Sequence, residues 1–269
     1  MSPPEARTRL QQIIGQRPAH FGLARSGWWL AGIRHAVGWL AQRCLATVYQ
    51  TLRRCHLAYK RGRRHVHSPD PLYREKLATV AYVRARATRE PDQVVALYQD
   101  ELTYYRRPTV AGGYAPAGRP TPLAEQGWGS NTLRRIAACL DARSGQLIAW
   151  QRDRFGWRTL LRFYREAVVP AYPAAQRIYL LQDNWPVHFH PALRAGLADT
   201  PIRLIRLPTY APWTNPIEKV WRKLYAEVLH LHGFASAWEE LTQTVQAWLE
   251  QWSEPQPELL RYVGLLCPN

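Results

Sequence analysis

Three acidic residues stand at the ends of apolar runs. Asp100 closes QVVALYQD, Asp183 closes RIYLLQD, and Glu218 ends NPIE. Carboxylates offer only oxygen donors, which suits a hard cation such as Mg²⁺ or Mn²⁺ that takes a few carboxylates and completes its shell with water and substrate phosphate. Two such ions about 3.5 to 4 Å apart activate a nucleophile and stabilise the departing oxygen at a phosphodiester. That chemistry requires neither His nor Cys ligands. Each acid also has a plainer reading. Asp100 and Asp183 are residues of the kind that close strands at turns. Glu218 falls at the third helical position if Asn215 is an N-cap and Pro216 the first residue, which is the place of a capping-box acid. Capping alone does not account for three acids arriving in the order strand, strand, helix.

The elements that must position these acids are legible as alternating β-rich and helical runs. Val94, Val95, Leu97 and Tyr98 suit a buried strand ending at Asp100. Ile136 to Leu140 and Leu147 to Trp150 flank the turn-forming DARSG and read as a hairpin. Residues 159–169 read as a helix, Arg177 to Gln182 as a strand ending at Asp183, and Ile202 to Leu207 as a strand leading through a Pro-rich loop into the helix of Glu218. Three strands, helix, strand, helix, strand, helix is the order of an α/β, ribonuclease H-like core, expected over 91–269. SPDP, residues 68–71, disfavours continued helix and marks a boundary. A helical linker is expected over 71–90 and an all-α helix-turn-helix or winged-helix module over 1–70.

The charge supports that division. The chain carries a net +16 with a pI near 10.2, and residues 1–90 hold 17 Lys and Arg against 4 Asp and Glu. A basic arm of +13 on a nearly neutral core favours a polyanionic partner. Within the arm, Leu45, Val48 and Leu52 form one helical face, while Thr47, Gln50, Arg53 and Arg54 lie on others, as a DNA-reading helix requires. Lys60, Arg61, Arg63 and Arg64 follow as a candidate basic wing along a phosphate backbone. The alternative is a solvated, positively charged helical bundle. No run approaches the roughly 18 to 20 apolar residues that span a bilayer, and the start lacks a signal-peptide core, so a cytoplasmic, nucleoid-associated protein with no membrane partner is expected. Cys44, Cys55, Cys139 and Cys267 are too scattered for a zinc site or disulfide framework and read as reduced packing residues.

LYQDE, YLLQDNWPVH and LPTYAPWTNPIEKVW together resemble the signature of bacterial insertion-sequence transposases in the mariner superfamily, with 34 residues between the second and third acids. The resemblance implies DNA cleavage at transposon ends and transfer of the freed 3′-hydroxyl into target DNA. It implies Asp100, Asp183 and Glu218 as ligands of Mg²⁺ or Mn²⁺, two ions in number, and a homodimer in the synaptic complex. Glu101 and Asn184 match the family pattern beside the aspartates and are expected to support them from behind. His188 falls where the pattern has a histidine, to be weighed against a histidine bonded only within the fold. Arg222 and Lys223 follow Glu218 on its helix and are candidates to meet phosphate. His190, His230 and His232 match nothing, and Trp213 and Trp221 read as packing residues. Family members usually carry a further N-terminal helix-turn-helix; here about 20 residues precede the module, so a truncated copy, a natural short form or a fragment of an element is expected. A DNA-binding relic without activity and another ribonuclease H-like nuclease are the competing expectations.

Overall fold

The structure is a computed structural model that describes residues 3–60, 67–118 and 120–266. The chain divides into two compact units, Met1–His65 and Val66–Asn269. The first is helical: α1 (Pro3–Ile14), α2 (Leu30–Ala36) and α3 (Leu45–Arg54), with single 3₁₀ turns between α1 and α2 and between α2 and α3. Its core joins Leu10, Ile33, Val37, Leu40, Val48 and Leu52. Helix α1 was not foreseen, yet Leu10 at its centre is fully buried. Leu45, expected to face inward, is exposed because it opens α3 one turn ahead of the buried Val48 and Leu52. Thr47, Gln50, Arg53 and Arg54 are exposed on α3, and Lys60 is exposed beyond it; Arg61, Arg63 and Arg64 lie outside the described residues.

The second unit is a five-stranded sheet in the order β3-β2-β1-β4-β5. Its strands are β1 (Val94–Tyr105), β2 (Leu133–Asp141), β3 (Leu147–Arg152), β4 (Arg177–Gln182) and β5 (Ile202–Arg206). β1 pairs antiparallel with β2 and parallel with β4, so it is the strand where the two pairing modes meet. Gly145, at φ 75°, makes the β2–β3 turn, and a Cβ there would stand 2.3 Å from the Gln256 carbonyl oxygen. Both faces of the sheet are covered, which is why β1 begins as an unbroken apolar run. Val94, Ala96 and Tyr98 enter one core with α4 (Tyr73–Arg89), α8 (Ile217–Leu224), α9 (Trp238–Glu250) and α10 (Pro257–Val263). Val95 and Leu97 enter the other, with α5 (Trp157–Phe163), the π turn Tyr164–Val168 that runs on through α6 (Val169–Ala171), and α7 (Pro191–Gly196). Truncating a filled position such as Leu160 or Leu180 to Ala costs about 2 to 5 kcal/mol.

Two expectations are corrected. The helix over 71–90 is no linker: Val80, Val83 and Ala87 bury it in the sheet's core, so α4 belongs to the second unit. Asp100 does not end its strand. β1 runs on to Tyr105 because β2 keeps pairing with it, Asp100 opposite Ala138, after β4 has stopped at Gln182. Among the described residues no helix is long and apolar enough to cross a membrane.

Candidate active site

Strand register brings the first two acids together. Tyr98 pairs with Leu181 in the parallel ladder, so two residues further on Asp100 and Asp183 lie at one level of the sheet's edge. Glu218 comes from the first turn of α8, where Ile217, Val220, Trp221 and Leu224 are buried at helical spacing and fix the helix's rotation. All three acids line one cleft of about 310 Å³ with Asn184, the segment 207–212 and Asn215. The capping reading of Glu218 does not hold. No side chain caps α8, and the Asn215 amide instead donates to the Gln99 carbonyl at 3.2 Å, tying the helix start to β1.

The acids sit in unlike fields. Burial, then the neighbouring Glu218, pushes the Asp100 carboxyl up to about 7, although Trp221 Nε1 donates to its Oδ2 at 2.9 Å. Burial also raises Glu218; Arg222 opposes this and Asp183 adds to it. Burial pushes Asp183 the same way, but His188 and the Trp185 amide more than offset it and hold the carboxyl below its ordinary value. His188 is fully buried, with Nε2 at 3.0 and 3.1 Å from the two Glu101 oxygens and Nδ1 at 2.9 Å from Asp183 Oδ1. The Nδ1 approach is too oblique for a hydrogen bond, and the contact is an ion pair. Burial works against the imidazolium, yet the two carboxylates raise its pKa to about 9. Glu101 lies on the opposite face of β1 from Asp100 and also accepts from Gln99 Nε2 at 2.7 Å. One sheet face thus carries Asp100, and the other a cation that grips Asp183 from behind.

The loop leading to Glu218 is held from far away in sequence. Asn184 donates to the Leu207 carbonyl at 2.8 Å and to Thr209 Oγ1 at 3.2 Å. Ser68 donates to the Thr209 carbonyl at 2.5 Å, while Asp70 accepts from the Thr209 amide at 2.8 Å and from Lys76 Nζ at 2.6 Å. Those bonds hold the Asp70 carboxyl far below its ordinary range. The SPDP segment read as a boundary is therefore a clamp on the cleft's wall. Within that wall Tyr210 adopts φ 52°, a left-handed conformation that a bulky residue reaches only when its surroundings impose it.

Of the candidate residues, Asp100, Asp183, Glu218 and Asn184 meet at the cleft, and Glu101 and His188 stand behind it. Arg222 is exposed and attracts Glu218 one turn away. Lys223 is corrected: it bonds Glu227 at 2.5 Å and lies over the Trp252 and Tyr262 rings, so its charge is used within the fold. His190 caps α7, and His232 accepts from the Phe234 amide, both structural uses. Sequence reasoning missed the roles of Trp221, Asn215, Ser68 and Asp70. Trp221 alone gave a signal, standing three residues after Glu218 on the same face.

Among the described residues no three His, Cys, Asp or Glu side chains stand ready to hold a metal ion without adjustment. The donor chemistry nevertheless fits a hard cation: three oxygen-bearing acids share one cleft, and two are pushed toward protonation, Asp100 by burial and Glu218, and Glu218 by burial and Asp183.

An acid-lined cleft where a helix start meets two neighbouring parallel strands is the arrangement of a ribonuclease H-like fold. Residues 95–242 match the family model of the DDE superfamily endonucleases, and the chain belongs to that family. Over 237 residues it is 22% identical to the 39 kDa protein of insertion element IS630 from Shigella sonnei, covering 87% of this chain and 67% of that one. The fold is similar to the Mos1 transposase paired-end complex with left transposon end, at a TM-score of 0.64 and 17% identity over 98% of this chain and 75% of that one. It is likewise similar to the Mos1 mariner paired end complex with Mn, at a TM-score of 0.62 and 17% identity, covering 98% and 75%. The α/β core with a helical N-terminal module expected from the sequence is the fold observed.

Proposed function

We propose that this DDE endonuclease is a DNA transposase of the insertion-sequence branch of the mariner superfamily, cutting DNA at transposon ends and joining the freed 3′-hydroxyl to target DNA. The observation that carries the reading is the shared cleft of Asp100, Asp183 and Glu218 on the family's matched segment. The three carboxylates would hold Mg²⁺ or Mn²⁺, with two ions expected from the chemistry of phosphodiester displacement. When bound, the metal supplies a polarised nucleophile and neutralises charge at phosphorus. The chain's own residues set the donors. Trp221 orients the Asp100 carboxylate, His188 held by Glu101 orients that of Asp183, and Asn184 with the Asp70 clamp fixes the wall against which the DNA strand lies. A carboxyl near pKa 7 is part protonated at neutral pH, so Asp100 would have to give up that proton to hold a cation.

Thr47, Gln50, Arg53 and Arg54 on α3 contact the transposon end, with Lys60, Arg61, Arg63 and Arg64 along its backbone, and Arg222 meets phosphate beside Glu218. The Mos1 complexes with paired ends and with Mn support DNA, divalent metal and a homodimeric synapse as partners here. The test is incubation of the chain with a duplex carrying the parent element's end and Mg²⁺ or Mn²⁺. Metal-dependent nicking and strand-transfer products, both lost in Asp183→Ala, are expected. Sequence-specific binding without cleavage under either metal would make the chain a relic, and hydrolysis without joining would make it a simple nuclease.

A further inference from the structure

The cleft accommodates a scissile phosphate, at about 310 Å³, but offers little surface for the DNA on either side of it. A second and larger concavity, about 740 Å³, runs along the open side of β5, the sheet's edge strand. Its floor is the strand segment 202–206, its walls come from α4 and from the 186–198 segment, and its lining includes Lys76, Arg194, Arg203 and Arg206 with no carboxylate. Two of these cations are set in place by the fold. Arg206 lies 3.8 Å from the centroid of the Phe189 ring, and Arg203 donates to the carbonyls of Thr200 and Ile202 at 3.0 and 2.6 Å. Lys76 is neutralised by Asp70, which leaves the three arginines as the groove's working charge.

The groove and the cleft share a wall. Arg206 pairs with Gln182 in the ladder, one residue before Asp183, and its guanidinium stands 3.5 Å from Asn184 Oδ1. Lys76 in the groove and Thr209 in the cleft grip the same Asp70 carboxylate. Arg206 therefore stands where a strand leaving the cleft on this side would pass. Arg203, three residues before Arg206 on β5, leaves the strand on the opposite face and lines the groove from the α4 side, while Arg206 and Arg194 line it from the α7 side.

We propose that this β5-edge groove is a second DNA site, binding the phosphate backbone of the DNA that flanks the scissile phosphate beyond the transposon end. The inference rests on DNA being the substrate and adds a surface distinct from both the catalytic acids and the helical N-terminal unit. Arginines on an edge strand have another use, which is to block pairing with a second sheet. An acidic peptide is a different occupant, but the groove shares a wall with the cleft of the three acids, which favours DNA.

The experiment compares the full wild-type chain with Arg194→Glu/Arg203→Glu, residues outside the catalytic set. Binding is followed by fluorescence anisotropy without metal across a salt series, on two labelled duplexes. One is the parent element's end stopped at the cleavage site, and the other is the same end extended by about ten flanking base pairs, enough to fill the groove. For the extended duplex, the slope of log affinity against log salt is expected to fall by about 1.8 in the variant, the loss of two phosphate contacts. On the short duplex the two proteins should coincide. An unchanged slope on the extended duplex, or an equal loss on both, overturns the proposal; aggregation of the variant with DNA binding intact would show that the arginines only guard the edge. If the double variant does not fold, Arg194→Gln/Arg203→Gln makes the same comparison with about half the charge change. Because the readout needs no cleavage, a wild type that binds the flank yet never nicks DNA would sink the enzymatic reading and leave the groove standing.

Discussion

Asp100 and Asp183 occupy one level of neighbouring parallel strands, yet the two sides of the sheet prepare them differently. Asp100 faces the core built with α8, where it meets the Trp221 donor and the repulsion of Glu218, and its carboxyl rises to about 7. Asp183 is backed by an imidazolium that Glu101 anchors from the other face, and its carboxyl falls. Burial pushes both aspartates the same way, so what separates them is the charge each side supplies. One acid is held as an anion, while the other stays part protonated near neutral pH.

Asparagine at either position should lower metal-dependent nicking by about 10³-fold or more, since each change removes a charged donor from the reacting centre. The two variants should part company in thermal melting without metal at pH 8. Asp100→Asn removes a charge that the fold disfavours and should leave the melting temperature level or higher. Asp183→Asn deprives the His188 cation of one partner and should lower it. If both shift in the same direction, the contrast between the two sides fails.

His188→Ala comes next in size, now in stability. It empties a fully buried position and leaves Glu101, which has 16% of its side chain exposed, without its cation. Breaking a buried pair from one side costs about 3 to 5 kcal/mol, which chemical denaturation would measure. A loss under about 1 kcal/mol would show that Glu101 and His188 are not coupled as described.

These unlike surroundings explain how much the sequence could reveal. The strands around Asp100 and Asp183 follow from apolar runs, and the rotation of α8 from Ile217, Val220, Trp221 and Leu224 at helical spacing. The partners of the acids were harder to see. Trp221 reaches Asp100 across 121 residues and Asp70 reaches Thr209 across 139, contacts set by how elements pack rather than by any local pattern. Asp100 looked like the end of its strand because β4 does stop at that level. Only the antiparallel partner β2, whose register no single run dictates, carries β1 onward. Lys223 was a reasonable candidate for phosphate on charge alone, and packing against Trp252 and Tyr262 assigned it to the fold.

The contrast also has a pH dependence. Asp100 binds its proton more tightly folded than unfolded, so ionising it costs the metal-free fold stability as pH rises from the ordinary carboxylate range to about 7. The cation on His188, whose folded pKa is raised to about 9, contributes stability that is complete below pH 6.5 and lost as pH rises through 9. Mg²⁺ binds the ionised form, so the rise in melting temperature on adding Mg²⁺ should be larger at pH 8 than at pH 6. Asp100→Asn should flatten that dependence. An equal metal-induced rise at both pH values would place the titrating proton somewhere other than Asp100.

The smallest expected effect isolates the side-chain bond that favours the Asp100 anion. Trp221→Phe keeps most of the buried ring and removes the Nε1 donor that stands 2.9 Å from Oδ2. A hydrogen bond to a charged group is worth about 1.5 to 3 kcal/mol, and a shift of one pKa unit corresponds to about 1.36 kcal/mol. Some of that value returns as water or a small rotation of the carboxylate replaces the lost donor, so the displacement should be up to about one unit. The midpoint of the pH profile for Mn²⁺-dependent nicking should therefore move to higher pH, while the rate well above the midpoint, where Asp100 is ionised in both proteins, stays within about twofold. A fall in rate that is the same at every pH would mean that Trp221 serves only the packing of α8 against β1. A shift confined to the midpoint would assign it the orientation and charge of the first acid.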